Sequence, residues 1–594
     1  MNIEQGILNF ERRCIGPFIQ CSESRDQYLI FPILFALCAL CGSSNAFAAE
    51  DSIPGVESSS IGVTAKGTPI RCLIGAGDLG FATKKTRILL VGDDNRVEEQ
   101  IAMAMRWFHT AMEAEELRTR YTLSAVPRVY PDEYAPQGYP PKGNFYASNG
   151  HPEEPYLWRW IGMHAPDLVV TIGIGKWYHI GVPTSDLTQL DKLSKEHRGT
   201  LFQDDTLETQ LVTSSPANVG RIPAIGFAVP TEVPFHEQLF AALDKAKFSG
   251  PSPARKEMQK RLNRTPKQLA EELAEFYGRD LSSISYIPAV AAIAQVRLAK
   301  LTDDAERLKH TKQIAAPYVS GEKSSKPNND PGYAGHLIFA ELADASEGDE
   351  RGRYLALAKS AADALLNEDG TPNLKKMSNS QMSDAVFMSG PILARVGRLT
   401  GEAKYFDAAA AHVKNMAAMD MRQDGLYRHS PLDEAAWGRG NGFPALGLAM
   451  ILSDLPADHP QQRELLSLYQ NHMNALAKHQ DYTGAWHQVI DHEESYRELS
   501  CTCMVTFAMV RGVQRGWLDS EKFTPIIQQA WHAIRTRVAS DGTLVDVCTG
   551  TGKQRNLRAY FDRTAILGRD ARGGAMSLLV AVEMANFQVL VNSP

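Results

Sequence analysis

The sequence predicts a multidomain chain, with an α/β layer over residues 70–250 followed by an all-α region over residues 265–594. Three observations predict it. Short runs rich in Val, Leu and Ile alternate with helix-period stretches in the first part. Beyond Pro266 strand signals become few and helix follows helix in pairs. Between the two, residues 251–264 (PSPARKEMQKRLNR) are charged and Pro-containing, which marks a linker. With 594 residues, 44% apolar and 22% charged, the chain has material for more than one core and is neither disordered nor collagen-like. A net charge of −7 with no basic block lacks the clustered Lys and Arg that nucleic acid requires, so no nucleic-acid partner is expected.

Residues 1–49 read as a signal peptide with an extended leader. The apolar run Tyr28–Leu40 (YLIFPILFALCAL) precedes Ala46-Phe47-Ala48, an A-x-A cleavage signature. The stretch before that run is long for a signal and carries Arg12, Arg13 and Arg25, which points to a start downstream of Met1. A membrane anchor is the alternative, but no later segment is long and apolar enough to span a bilayer. Four of the eight cysteines fall in this leader. The four that remain, Cys72, Cys501, Cys503 and Cys548, are too few for a disulfide scaffold, and Cys501-Thr-Cys503 is too tight for a metal pair. A periplasmic or secreted protein with no stable membrane span after signal cleavage is expected.

In the first part, Arg87–Val91 (RILLV), Tyr121–Val129 and Asp167–Ile172 are strand candidates, and Glu98–Leu117 is a helix. Their alternation suggests a largely parallel sheet, with Tyr130–Pro155 as a long loop above its edge. In the second part the helix candidates are 266–278, 283–300, 303–315, 332–345, 350–366, 383–399, 402–418, 443–454, 460–480, 498–516, 520–538 and 572–587. Paired helices repeating at roughly 40–50 residues suggest a solenoid or a closed ring of hairpins, and a closed ring gathers its longer loops around a central cavity.

Those longer loops carry the chemistry. In Asn328-Asn329-Asp330-Pro331, Asp330 reads first as an N-cap with Pro331 at the first helical position, and a helix mouth also faces the cavity. Ser383-Asp384 opens a strongly apolar helix, so the Asp384 carboxylate should stand beside a low-dielectric wall, as a proton donor near neutrality requires. Gly390-Pro391 inside that helix marks close packing. Residues 424–443 (DGLYRHSPLDEAAWGRGNGF) alternate three glycines, 438, 440 and 442, with Arg439 and Asn441 just ahead of a helix, where the backbone can approach a ligand. Trp437 offers a plate for a sugar ring, Arg439 a fork for a carboxylate, and His429 a polar neighbour to both. No strand precedes this stretch and no Gly-Lys-Ser/Thr follows, so it is not a phosphate loop. Trp486-His487-Gln488 and the late glycines at 550–552 and 573–574 lie on further loops and read more simply as turns.

The motifs MSDAVFMSGPILA, DGLYRHSPLDEAAWGRGNGF, HQVIDHEESYRELS and RDARGGAMSLLVAVEMA resemble those of the unsaturated rhamnogalacturonyl hydrolases, glycoside hydrolase family 105, and are similar at greater distance to unsaturated glucuronyl hydrolases. The resemblance covers roughly residues 265–590. It implies an (α/α)6 toroid and an enzyme that removes the 4,5-unsaturated uronic acid left by polysaccharide lyases at a non-reducing end. It implies Asp384 as proton donor and water activator and Asp330 as the assisting carboxylate. By the same resemblance His429, Trp437, Arg439, Asn441, Tyr286 and Trp486 contact the substrate, an oligosaccharide with an unsaturated uronic acid end, without metal or cofactor. Ser430-Pro431 and Phe443 stand where relatives often carry Trp, which leaves the sugar preference open.

The 70–250 segment resembles a zinc carboxypeptidase fold at VGDDNRVEE and DLVVTIGIG. Asn95 and Glu98 stand where that resemblance implies His-x-x-Glu, and Gly173 where it implies a further His, so a metal-free binding or packing module is expected. His179 finds no place as a ligand. Two other readings stay open: a carbohydrate-binding toroid without catalysis, and an amidohydrolase or esterase working from the first part.

Overall fold

The computed structural model describes residues 52–592, apart from 76, 79, 93, 134–135, 143–150, 176–178, 182–204 and 231–233. The leader expected over 1–49 lies outside the described residues. Residues Ile53–Pro594 form one compact unit. Its first part is a seven-stranded sheet of β1 (Val56–Val63), β2 (Pro69–Gly75), β3 (Thr86–Gly92), β4 (Tyr121–Val126), β5 (Leu168–Ile174), β6 (His179–Gly181) and β7 (Ala224–Val229). The order is β1-β2-β4-β3-β5-β7-β6. The β4-β3-β5-β7 centre is parallel, with Leu89 opposite both Ser124 and Val169, while β1, β2 and β6 pair antiparallel at the edges. Strand β3 is buried along its whole length, as a parallel strand covered on both faces must be.

The helix Glu98–Thr110 buries Ile101, Ala104, Met105 and Phe108 on one face. It ends sooner than its apolar pattern predicts, because Ala111 turns extended and Arg118 Nη1 takes the carbonyls of Phe108 and Ala111. The loop expected to run to Pro155 gives way earlier, to the helix Glu153–His164.

Residues 251–264 are not a linker. Ser252 caps the helix Pro253–Leu262 by accepting the Arg255 N–H at 3.1 Å, with Pro253 in the first turn. Three of its six charges, Arg255, Arg261 and Arg264, are buried, while Lys256 and Lys260 face solvent. Arg255 pairs with Asp167 under the sheet at 2.5 Å, and Arg261 Nη1 donates to the Thr536 carbonyl at 2.8 Å.

Every expected helix beyond Pro266 has a counterpart within a few residues, with one division at His336. Six of them form an inner ring: Tyr286–Thr302, Asp330–Asp344, Ala385–Thr400, Gly438–Asp454, Leu499–Gln514 and Ala571–Asn592. Each packs on the next, and the last packs on the first, closing the ring. The intervening helices Pro266–Ala274, Ala305–Val319, Gly348–Asp363, Ala403–Asp420, Gln462–Ala477 and Ser520–Arg537 form the outer layer of an (α/α)6 toroid. Burial separates the layers. Gly438–Leu452 is buried throughout, whereas Gly348–Asp363 buries only Tyr354, Ala358, Ala361 and Ala362. Gly390 lets two inner helices touch, since a Cβ there would meet Ile451 Cδ1 at 2.5 Å. The hairpin of β8 (Leu544–Cys548) and β9 (Ala565–Gly568) and the short helix Leu557–Phe561 precede the last inner helix, where strand signals looked few.

Candidate active site

Asp384 immediately precedes the inner helix Ala385–Thr400. Ser383 pins it there: its N–H donates to the His429 carbonyl at 3.0 Å and its hydroxyl to the Gly440 carbonyl at 2.6 Å. These bonds clamp the helix start against the loop that carries His429. Asp384 Oδ2 lies 3.2 Å from His429 Nε2, and Asp384 is only 9% exposed. Its carboxylate makes no capping bond to its own helix, so it is not spent on the backbone.

His429 is fully buried, with Nδ1 2.9 Å from the Tyr560 hydroxyl. The Tyr560 oxygen accepts the Gln554 N–H at 3.2 Å, so its own proton is available to His429 Nδ1. With Tyr560 as that donor, the imidazole proton stands on Nε2, facing Asp384. Tyr560 comes from the short helix Leu557–Phe561 and was not legible as a site residue. Gly440 makes room for the assembly, because a Cβ there would meet Trp437 Cε3, Ser383 Oγ and His429 Cδ2 at 3.0–3.3 Å.

Around this pair lies a group of buried polar atoms with no aligned hydrogen-bond partner among the described residues: Asp384 Oδ2, His429 Nε2, Trp437 Nε1, Tyr427 Oη and both carboxylate oxygens of Asp420. Buried polar atoms are ordinarily satisfied, so such a concentration marks a place where a ligand or water supplies the partners.

Asp330 belongs to the same electrostatic neighbourhood. It is not the cap that its position suggested. Asn329 Oδ1 accepts the Gly332 N–H at 2.9 Å, leaving Asp330 in the first turn of its helix with its carboxylate free of that task. Burial raises the Asp330 pKa, a bond from Ser380 opposes the rise, and the charge of Asp384 adds to it. The two carboxylates therefore feel each other's field.

Asp420 is the carboxylate that sequence reasoning missed. It ends the outer helix Ala403–Asp420 and is 1% exposed, with Arg428 Nε 3.7 Å away. Burial, joined by the charge of Asp384, pushes its pKa up to about 7 against the pull of Arg428. Its signal in the sequence was an acidic residue at the wrong end of a helix dipole.

Several expected contacts fall elsewhere. Trp437 is 1% exposed, with the His429 ring at 4.4 Å and the Arg439 guanidinium 4.7 Å above it, so its face is not open to a sugar. The Arg439 fork is occupied by the carbonyls of Cys548 at 2.8 Å and Thr549 at 2.7 Å, which ties the inner helix to β8. Asn441 is fully buried and spans the backbone of Tyr427 and Trp437 through both ends of its amide. Trp486 is a core residue whose Nε1 donates to the Leu476 carbonyl at 2.7 Å. The glycines beside Arg439 admit protein rather than ligand, since a Cβ at Gly438 would strike the His487 carbonyl at 2.6 Å and one at Gly442 Met504 Sδ at 2.8 Å. Tyr286 remains half-buried at the start of its inner helix, edge-on to Phe387 and Phe443.

The model of Glycosyl Hydrolase Family 88 matches residues 255–588, more than half of the chain. The chain belongs to this family. The match includes the Asp384–His429 pair and the inner helices, the last of them as far as residue 588, and begins inside the helix that replaced the expected linker. Among curated relatives, an unsaturated 3S-rhamnoglycuronyl hydrolase of Alteromonas sp. (strain LOR) is 28% identical over 172 residues, 27% of this chain and 42% of the relative. The unsaturated rhamnogalacturonyl hydrolase YesR of Bacillus subtilis (strain 168) is 27% identical over 188 residues, 30% of this chain and 52% of the relative. The chain thus spans about half the length of the curated relatives it matches. A solved structure from Salmonella enterica serovar Paratyphi A, described as a possible member of the GH105 family, is 21% identical, covering 54% of this chain and 93% of that one with a TM-score of 0.47.

Proposed function

We propose that this family 88 chain is a glycosidase that releases a 4,5-unsaturated uronic acid from the non-reducing end of lyase-generated oligosaccharides. The observation that carries the reading is the buried Asp384–His429 pair at 3.2 Å, set among polar atoms that lack partners and coupled to Asp330. In this proposal protonated Asp384 delivers its proton to C4 of the enol ether. Positive charge develops at C5, water adds there, and the Asp384 carboxylate takes a proton from that water. The resulting hemiketal opens, and the bond to the rest of the oligosaccharide breaks, for a net consumption of one water. His429 holds Nε2–H toward Asp384 and steadies its anionic form. Asp330, whose own pKa is raised by burial and by the charge of Asp384, supplies the assisting carboxylate.

The names of the Alteromonas and Bacillus relatives support this substrate class, although they describe those proteins. Export belongs to the same proposal, and so does descent of the sheet module from a carboxypeptidase-like fold without its metal. N-terminal sequencing of the protein recovered outside the cytoplasm tests the first. Metal analysis of the purified chain tests the second, and stoichiometric zinc refutes it.

The central test follows the ultraviolet absorbance of the enol-ether double bond during incubation with lyase digests. Asp384→Asn should lose about a thousandfold in kcat while keeping the circular dichroism and Tm of the parent. A fully active Asp384→Asn refutes the assignment. An inactive parent on every lyase digest favours a binding toroid instead.

A further inference from the structure

The sheet module and the toroid enclose a second cavity, of about 500 Å³, and no member of the Asp384 group lines it. Four arginines do: Arg87 from β3, Arg159 from the helix Glu153–His164, Arg497 from the loop before Leu499, and Arg537 from the end of the outer helix Ser520–Arg537. Three have carboxylates of their own. Arg87 Nε meets Asp78 at 3.0 Å, Arg159 meets Asp546 at 2.6 Å, and Arg497 pairs with Asp481.

Arg537 has none. It is 3% exposed, its Nη1 reaches only the Ala533 carbonyl at 3.3 Å, and its Nε has no acceptor among the described residues. Arg87 Nη2, fully buried, also has no acceptor among them. Unmet guanidinium hydrogens are costly when buried, and here the two arginines that carry them line one cavity. Burial lowers the Arg537 pKa, and the charges of Asp546 and Asp481, beyond ion-pair distance, only oppose that fall.

Much of the rest of the wall is aromatic, and its one carboxylate, Asp546, is neutralised by Arg159 at 2.6 Å. Trp160 and Tyr482 are locked together by a bond from the indole Nε1 to the tyrosine hydroxyl at 3.0 Å. His164 stacks on one face of Trp160 at 4.7 Å and Arg497 covers one face of Tyr482 at 4.9 Å, so each has a single face for a ligand, and Tyr156 adds a third ring. Exposed Gln528 and Gln529 stand at the mouth. Guanidinium for an oxyanion, flat apolar plates for a ring, and a volume in the range of small-molecule sites together describe a receptor for a compact anionic carbohydrate. A bare inorganic anion would use the arginines and leave the aromatic walls wet.

We propose that this cavity is a binding site for a free sugar acid, whose carboxylate bonds to the open edge of Arg537 and whose ring lies against Trp160 and Tyr482. The site is separate from the Asp384 group, so the chain senses or retains an acidic monosaccharide where its two parts meet, whatever reaction the toroid performs.

Isothermal titration of the full chain with galacturonate, galactose and sulfate tests this. Galacturonate should bind at least tenfold more tightly than either other probe. Arg537→Gln should weaken it at least tenfold. Gln528→Trp, an exposed change that plugs the mouth without touching the core, should do the same while leaving turnover of unsaturated oligosaccharides unchanged. Sulfate binding as well as galacturonate overturns the sugar-acid assignment. Absence of binding by all three probes overturns the site. Galacturonate affinity that survives both variants places the ligand elsewhere and overturns it as well.

Discussion

Replacing Asp420 with Asn tests the electrostatics of the candidate site through stability alone. Asp420 is 1% exposed, neither oxygen has an aligned hydrogen bond, and burial holds its pKa at about 7 against a usual value of 3.8. The folded chain therefore keeps a proton that the unfolded chain releases. Below pH ~4 both states are protonated and the carboxyl costs nothing. Between pH ~4 and ~7 the unfolded state alone gives up its proton, so stability falls as pH rises, and above pH ~7 the loss is complete. A difference of about 3 pH units is worth ~4 kcal/mol at most, and water entering the site at high pH brings that toward ~2 kcal/mol. Asn has nearly the same shape and no charge. At pH 8 Asp420→Asn should be more stable than the parent by about 2 kcal/mol, and the two should converge at pH 4. Calorimetric Tm values from pH 4 to pH 8 measure this. A gap that does not change with pH refutes the burial argument. A variant that becomes relatively less stable as pH rises shows that Arg428, 3.7 Å away, wins over desolvation.

Two further changes separate catalytic support from scaffold. Tyr560→Phe removes the hydroxyl that fixes the His429 tautomer, so kcat should fall roughly tenfold, about one net hydrogen bond, with KM moved less than about twofold; an unchanged kcat refutes the role. Arg439→Lys cannot span both the Cys548 and Thr549 carbonyls, so it should lower stability by about 2–3 kcal/mol and leave KM nearly unchanged. A raised KM at constant Tm would return Arg439 to the substrate.

The toroid was legible because each inner helix is apolar on nearly every side, a pattern that survives without knowledge of its neighbours. Strand β1 was not, since VESSSIGV buries serines that composition assigns to a loop: Ser60 Oγ donates to the Gly62 and Ile70 carbonyls and is thereby made fit for the interior. The same limit governs the site. Ser383-Asp384 and His429 could be found because their chemistry is local to a helix start and a loop. Trp437, Arg439 and Asn441 were given to a ligand because their side chains are of the types that ligands use. What decides between a ligand and the protein's own backbone is which acceptors arrive from elsewhere in the chain. For Arg439 these are carbonyls at 548 and 549, presented by a hairpin whose two short strands left almost no signal. For Asp420 only Arg428 comes near among the described residues, at 3.7 Å and out of line, and that half-met carboxylate in the field of Asp384 says more about the site than the Arg–Gly pattern that first drew notice to it.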